Sequence, residues 1–328
     1  MKKMEDLFTY IALHTEQAVR DNRYKWKSKD APLKSSVNRL FFLGTGGNPY
    51  NLASQYKQTG GVCMFLDGSL LLVDPGPGSI HHAVRNGIDV RGIDAVYISH
   101  GHTDHYLDAG TAIEAMTHIM SKRRGKVMLP LDMLESGLIS TYHQGKIYGL
   151  DGYVGGPEEI ITLSPKLIIP FGKGIITPIP AHHGGDNFGF TYVSPTISIG
   201  YTSDTNYIQT YLQEDETEQC ISWQPIERFK RVQEYRRDLR EAYANMDVLI
   251  ANVSYFHLFG HRHITGVGLA HLLKGTKVKT CIVTHLDPAC YYPVDLTKEI
   301  AAYIEGISGV KTIIAQDNVQ YGLNGLIT

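Results

Sequence analysis

Cysteine is scarce in this chain: four residues in 328, Cys63, Cys220, Cys281 and Cys290, with no pair in a C-x-x-C spacing. Cys63 and Cys281 sit inside apolar runs, where a reduced, buried thiol is expected in place of a disulfide. Long hydrophobic runs are missing too. No stretch approaches the ~20 apolar residues of a membrane span. The start, MKKMEDLFTYIALHTEQ, carries charges with no uninterrupted apolar core. No membrane contact and a cytoplasmic location are therefore the expectations. An excess of one charge is also absent: 31 basic and 33 acidic residues leave a net charge of −2. That balance offers no footprint for gripping long nucleic acid. There is no internal repeat of fixed period.

What is present is an ordinary globular composition, 43% hydrophobic and 20% charged. Residues 1–38 read as a helical appendage: Leu7, Phe8, Ile11, Ala12 and Val19 recur at helical spacing, then a basic polar connector follows. The expectation is a helix packed on the main domain or on a partner subunit. From Arg39 to the end, at 328, short β-branched and aromatic runs alternate with turns and with helix-like segments near 105–122, 131–138, 227–245, 265–274 and 294–306. The pattern predicts a single α/β layered domain with sheets covered by helices. Residues 206–246 are highly charged and rich in helix formers, and they read as an inserted, exposed helical segment.

Polar residues fall in one recurrent place. SLLLVD ends at Asp74, DAVYISH at His100, IITPIPAHH at His182 and His183, ISIGYTSD at Asp204, and CIVTH at His285. Five apolar runs deliver His or Asp where a strand should end, a rigid position that opens onto a loop. After the second run, His100, His102, Asp104 and His105 crowd into six positions. Nitrogen and oxygen donors without thiolate suit zinc, manganese or iron. So many ligands exceed the needs of one ion and fit two divalent ions sharing a carboxylate, with zinc expected first.

The run His100-Gly-His102-Thr-Asp104-His105 resembles the signature of the metallo-β-lactamase fold hydrolases. LGTGG, LLLVDPGPG, AHHGGDNFGF, GYTSDT and IVTHLDP are similar to that superfamily's other motifs, in order, over about residues 39–318. The resemblance implies a four-layer αββα sandwich with a two-metal site on one edge. It implies that His100, His102 and one of the pair His182/His183 bind one metal, with His182 preferred. Asp104, His105 and His285 would bind the other, Asp204 would bridge, and Asp74 would orient a ligand or water from behind. Asp204 replaces the cysteine of the zinc β-lactamases and His102 the glutamate of the flavo-di-iron branch, which points away from both. GHRHITGVGLAHLL places His263 and Thr265 at the head of a helix. This resembles the His-x-Ser/Thr element of ribonuclease Z-like phosphodiesterases, whose histidine faces the scissile phosphate.

The resulting expectation is a phosphodiesterase in which a metal-bridging hydroxide attacks phosphorus, Asp104 and Asp74 support the centre, and a protonated His263 serves the departing oxygen. Between residues 106 and 181 there is no long basic arm of the kind that holds tRNA. A small or cyclic nucleotide phosphodiester is thus the expected substrate, and a homodimer is implied by relatives of that kind. The alternatives are a ribonuclease Z-like endonuclease, a thioester or lactone hydrolase on the same site, and a metal-stabilised binding protein.

Overall fold

The structure, a computed structural model, describes residues 2–27, 37–146, 155–220, 228–257 and 262–327. Two large mixed sheets form its centre. The first runs, in spatial order, Val319–Gly322, Arg39–Phe42, Val62–Leu66, Ser69–Val73, Ile93–Tyr97, Lys126–Leu129 and Glu159–Thr162. The second runs Lys311–Ile314, Thr280–Thr284, Val248–Tyr255, Ser198–Tyr201, Phe188–Val193, Gly174–Pro180 and Ile169–Phe171, with the short Ile264–Thr265 strand pairing Val248–Tyr255 at one side. Each sheet is antiparallel in one half and parallel in the other. Parallel neighbours need a crossover, and helices supply it: Ser79–Arg85 and Ala109–Met116 over the first sheet, Gly266–Leu273 and Thr297–Ser308 over the second. Gly309, at φ 75°, ends the last of these in the left-handed region that glycine tolerates.

Strand alternation decides which side chain enters which core. Leu40, Phe42, Val62, Met64, Leu71 and Val73 meet Phe190, Tyr192, Ile199, Val248 and Ile250 between the sheets. The intervening residues Phe41, Cys63, Leu70 and Leu72 turn outward to pack under Ala112, Ile113 and Met116. Leu249, Ala251 and Val253 do the same beneath Leu269, Leu272 and Ile304. Three apolar interfaces between four layers make the αββα sandwich. Strands of this kind are apolar on both faces, which is why they read as continuous runs.

Two expectations need correction. The charged segment 206–246 is not a helical insertion. Its described part is a three-stranded antiparallel sheet, Glu218–Cys220, Ile208–Gln213 and Phe229–Tyr235, followed by the seven-residue helix Arg237–Tyr243. Phe229, Val232 and Tyr235 recur every three residues, which imitates a helix. Register shifts in the pairing with Ile208–Gln213 are what let residues so spaced share a face. Second, residues Lys2–Lys27 do form one helix, whose Leu7, Phe8, Ile11 and Val19 are 47%, 74%, 50% and 47% exposed, so of the two expected packings the one on the main domain is not made and the one on a partner subunit is left open. The helix presents those side chains outward instead of lending them to the main core. Residues 147–154, within the region where no long basic arm is expected, lie outside the described residues. No described helix is long and apolar enough to cross a membrane.

Candidate metal centre

The parallel strands converge on one edge of the sandwich, and their C-terminal ends carry the polar residues, the usual place for a site in such sheets. Asp74 follows Ser69–Val73, His100 follows Ile93–Tyr97, Asp204 follows Ser198–Tyr201 and His285 follows Thr280–Thr284. His102 precedes the helical turn Thr103–Tyr106, which brings Asp104 and His105 back toward the same point. Asn48, Asp74, Ser203 and His285 all have positive φ, at 68°, 48°, 55° and 67°. Non-glycine residues hold that conformation only where the surroundings impose it. Gly47 must be small, because a Cβ there would lie 2.1 Å from the His285 ring.

Two groups of donors result. His100, His102, His183 and Asp204 have ligand atoms within 4.8 Å of one another, and so do Asp104, His105 and His285. A third set of the same compactness, Asp204, His263 and His285, links them. Within the groups, His183 Nε2 is 3.1 Å from His102 Nδ1 and His105 Nε2 is 3.2 Å from His285 Nε2. Asp204 sits in the middle: its Oδ2 is 3.3 Å from His105 Nε2, 3.8 Å from His183 Nε2 and 3.9 Å from His100 Nε2, while its Oδ1 is 3.4 Å from His285 Nε2.

The nitrogens facing outward are engaged, which leaves the inward ones to face each other. His105 Nδ1 donates to Asp74 Oδ2 at 2.9 Å, His183 Nδ1 to the Arg262 carbonyl at 2.9 Å, and His100 Nδ1 to Ser99 Oγ at 3.0 Å. His100 Nε2, buried, has no hydrogen-bond partner among the described residues, and neither does His263 Nδ1. Imidazole nitrogens aimed at one another a little over 3 Å apart suit donors that share a tetrahedral cation, whose ligands at 2.0–2.1 Å lie about 3.3 Å apart. The residues therefore fit a divalent metal.

Electrostatics agree with the geometry. Burial alone would raise Asp204, but His285, His105 and His263 hold its carboxyl well below the ordinary range. Asp104 is lowered as well, by His105 and His285 against the effect of burial. Burial would lower His105, yet Asp204, Asp104 and Asp74 raise it well above an ordinary imidazole. His100 goes the other way, driven down by burial and by the His105 beside it. The buried carboxylates Asp74 and Asp204 and the partly buried Asp104 thus face imidazoles that cannot all carry protons, and a cation resolves that conflict.

Of the residues singled out from the sequence, His100, His102, Asp104, His105, His183, Asp204, His263 and His285 come together, with Asp74 directly behind His105. His182 does not. Its ring turns away to Asp238, with Nε2 2.8 Å from Oδ2, while its backbone N–H donates to Thr205 Oγ1. Against the preference for His182, it is His183 that joins the donor group: in the bend that follows Gly174–Pro180 its ring points inward and that of His182 does not. His263 joins the centre at 3.7 Å from Asp204, but burial pushes its ring down to about 3. Sequence reasoning missed a supporting ring of residues. Asn252 donates to Asp204 Oδ1 at 2.8 Å, Tyr201 to Asp74 Oδ2 at 2.5 Å, and the Asn48 N–H to Asp104 Oδ2 at 3.1 Å. Asn252 had a signal, a lone amide inside the apolar run VLIANVS. Tyr201 had none, since tyrosine is common in strands. A cavity of about 570 Å³ opens over His102, Asp104, His183, Asp204 and His263 and is flanked by Tyr50, Tyr255 and Arg262.

Comparison with known proteins follows the same lines. Residues 70–221 match the family described as the beta-lactamase superfamily domain. Over that stretch the chain is similar to the metallo-β-lactamase superfamily, whose fold its structure shares. An uncharacterised protein of Methanocaldococcus jannaschii is 34% identical over 182 residues, 53% of this chain and 64% of that protein. A ribonuclease Z of Methanosarcina mazei is 26% identical over 157 residues, 47% of this chain and 48% of the relative. The chain thus spans between about half and two thirds of the length of these relatives, and its likeness is to the ribonuclease Z-like branch. The crystal structure of the metallo-β-lactamase fold protein YhfI from Bacillus subtilis superposes with a TM-score of 0.63 at 17% identity, covering 87% of this chain and 99% of that one.

Proposed function

We propose that this protein is a divalent-metal-dependent hydrolase that cleaves a small phosphodiester. The observation that carries the reading is Asp204, a buried carboxylate central to two compact donor groups at the floor of an open cavity. His100, His102 and His183 would hold one cation, Asp104, His105 and His285 a second, with Asp204 between them. Held there, divalent cations supply Lewis acidity, which acidifies water and neutralises charge on a phosphoryl group.

The chain's own residues do the rest. Asp74, Ser99 and the Arg262 carbonyl fix the tautomers of His105, His100 and His183, so that each presents a lone pair inward. His263 stands on a rigid base, because Thr265 Oγ1 accepts the Gly268 N–H at 3.0 Å and caps the helix that follows. Hydrolysis adds a water oxygen to phosphorus, breaks one P–O ester bond and delivers a proton to the departing oxygen. His263, on the cavity wall, is the ring placed to serve that oxygen. Burial disfavours its charged form, and the anionic charge of a bound substrate would favour it.

A cavity of about 570 Å³ has the size of a small-ligand site. Together with a net charge of −2, it supports a substrate with few phosphates; a cyclic nucleotide is one member of that class. Similarity to ribonuclease Z proteins favours RNA cleavage as a second reading. Purified protein with its metal content measured should be offered bis-p-nitrophenyl phosphate, cyclic nucleotides, precursor tRNA and a thioester. Metal-dependent turnover of the small phosphodiesters, with little of the tRNA, is the expected result. Hydrolysis confined to the thioester would overturn the phosphodiesterase reading.

A further inference from the structure

Beyond Tyr255 the structure holds a second cavity, of about 460 Å³, that shares that tyrosine as a wall with the cavity over the metal centre. Its lining combines three aromatic rings, Tyr255, Phe256 and Tyr303, with the aliphatic side chains of Leu296 and Ile300 and one carboxylate, Glu299. Phe256 and Tyr303 meet edge to face, with centroids 5.0 Å apart and planes at 83°, so the two rings form a corner. Tyr303 is 38% exposed, which leaves the corner open to solvent. Among the described lining residues there is no lysine or arginine. The one imidazole, His257, has its edge or face against Phe229 at 6.3 Å.

These features select a kind of ligand. A nucleobase brings a full edge of donors and acceptors, and a wall this rich in carbon would leave many of them unpaired at a cost. A quaternary ammonium group has no N–H to satisfy. It is apolar in shape, is attracted to aromatic faces, and gains further from a nearby carboxylate. We propose that this compartment receives the alcohol portion of the substrate, and that the alcohol carries an organic cation of the choline type. The inference rests on the phosphodiesterase reading for the neighbouring site. Tyr255, which lines both cavities, is what assigns them to one ligand.

The test compares two isosteric esters on the metal-loaded full chain, p-nitrophenyl phosphocholine and p-nitrophenyl 3,3-dimethylbutyl phosphate. In each, a water oxygen bonds to phosphorus, the aryl P–O bond breaks, p-nitrophenolate departs and a proton goes to solvent. Only the charge of the arm differs. The choline ester should have the higher kcat/KM, by about tenfold, as expected of a partly desolvated cation on aromatic faces. Tyr303→Leu and Glu299→Gln should each pull that ratio toward one. A wild-type ratio near one, or a preference that survives both substitutions, overturns the proposal. If neither ester is hydrolysed, the phosphodiesterase reading fails instead. The compartment is then decided by saturation-transfer NMR with choline against 3,3-dimethylbutanol. Choline binding that disappears in Tyr303→Leu supports it, and no choline binding to the wild type overturns it.

Discussion

His105 stands between a carboxylate behind it and the centre in front of it: its Nδ1 donates to Asp74 Oδ2 at 2.9 Å, and its Nε2 faces inward. Asp74 itself is held by the Ser99 N–H and hydroxyl, both at 2.7 Å, and by the Tyr201 hydroxyl. The carboxylate therefore sets the ring's tautomer and angle without reaching the cavity. Asp74→Asn should lower affinity for the second cation about 10- to 100-fold while the fold persists. Chelator competition read beside circular dichroism checks this. Unchanged metal affinity would remove Asp74 from its supporting role.

Neighbouring histidines should behave very differently. His183→Ala removes a donor from the first group and should cost most of the metal bound there. His182→Ala breaks only a half-exposed contact with Asp238, and its metal content should stay near that of the wild type. Metal analysis of the two proteins, prepared side by side, decides. Equal losses would show that the inward and outward assignments are wrong.

His263→Ala should retain its metals and lose rate. General acid help is worth about 10²- to 10⁴-fold, so the loss should be large for alkyl leaving groups and shrink for p-nitrophenolate, which needs no proton. A Brønsted series over leaving groups is the measurement. A loss independent of leaving group would assign His263 to holding the phosphoryl group instead.

A stability prediction comes from the far side of the second sheet. Asp247 accepts from the Ser198 N–H and hydroxyl at 2.9 and 2.8 Å and pairs with Lys279 at 3.0 Å. Burial alone would raise its pKa, but these partners bring it below the usual carboxylate value. A depressed folded-state pKa contributes stability above the unfolded value, near 4, and loses it as pH falls through the folded one. Asp247→Asn should cost about 1–2 kcal/mol at pH 7 and progressively less below about pH 4. Urea midpoints at pH 7 and pH 3 give the comparison; an equal loss at both would mean the charge contributes nothing.

What could be read from the sequence was what is local. A His or Asp at the end of an apolar run announces itself within a few residues, and so Asp74, His100, Asp204 and His285 were visible before any fold. What closes around them is not local. Tyr201 reaches Asp74 across 127 positions, and Asn48 reaches Asp104 across 56. Neither contact leaves a mark on its neighbours in the chain. The strand Phe229–Tyr235 was misread for a related reason. Its composition favours a helix, and pairing with a distant strand overrides that preference. For His182 and His183 the motif was recognisable but the facing was not, since one residue of backbone rotation exchanges them.

Asp74 receives hydrogen bonds from both sheets, from Ser99 on one and Tyr201 on the other, and Tyr97 of the first sheet donates to the Phe188 and Gly189 carbonyls of the second. The width of the centre is thus tied to the thickness of a close-packed interior, which yields little. Ionic radius becomes a structural constraint. Calcium, which takes six to eight oxygens at about 2.3–2.6 Å, would have to spread the two layers to be accommodated, whereas a zinc-sized ion would not. Discrimination among cations would then rest partly on Phe190, whose ring packs between the sheets against Tyr97 and Tyr201. Loosening that packing, as in Phe190→Leu, should narrow the gap between zinc and calcium affinities, and parallel titrations of both ions would show it.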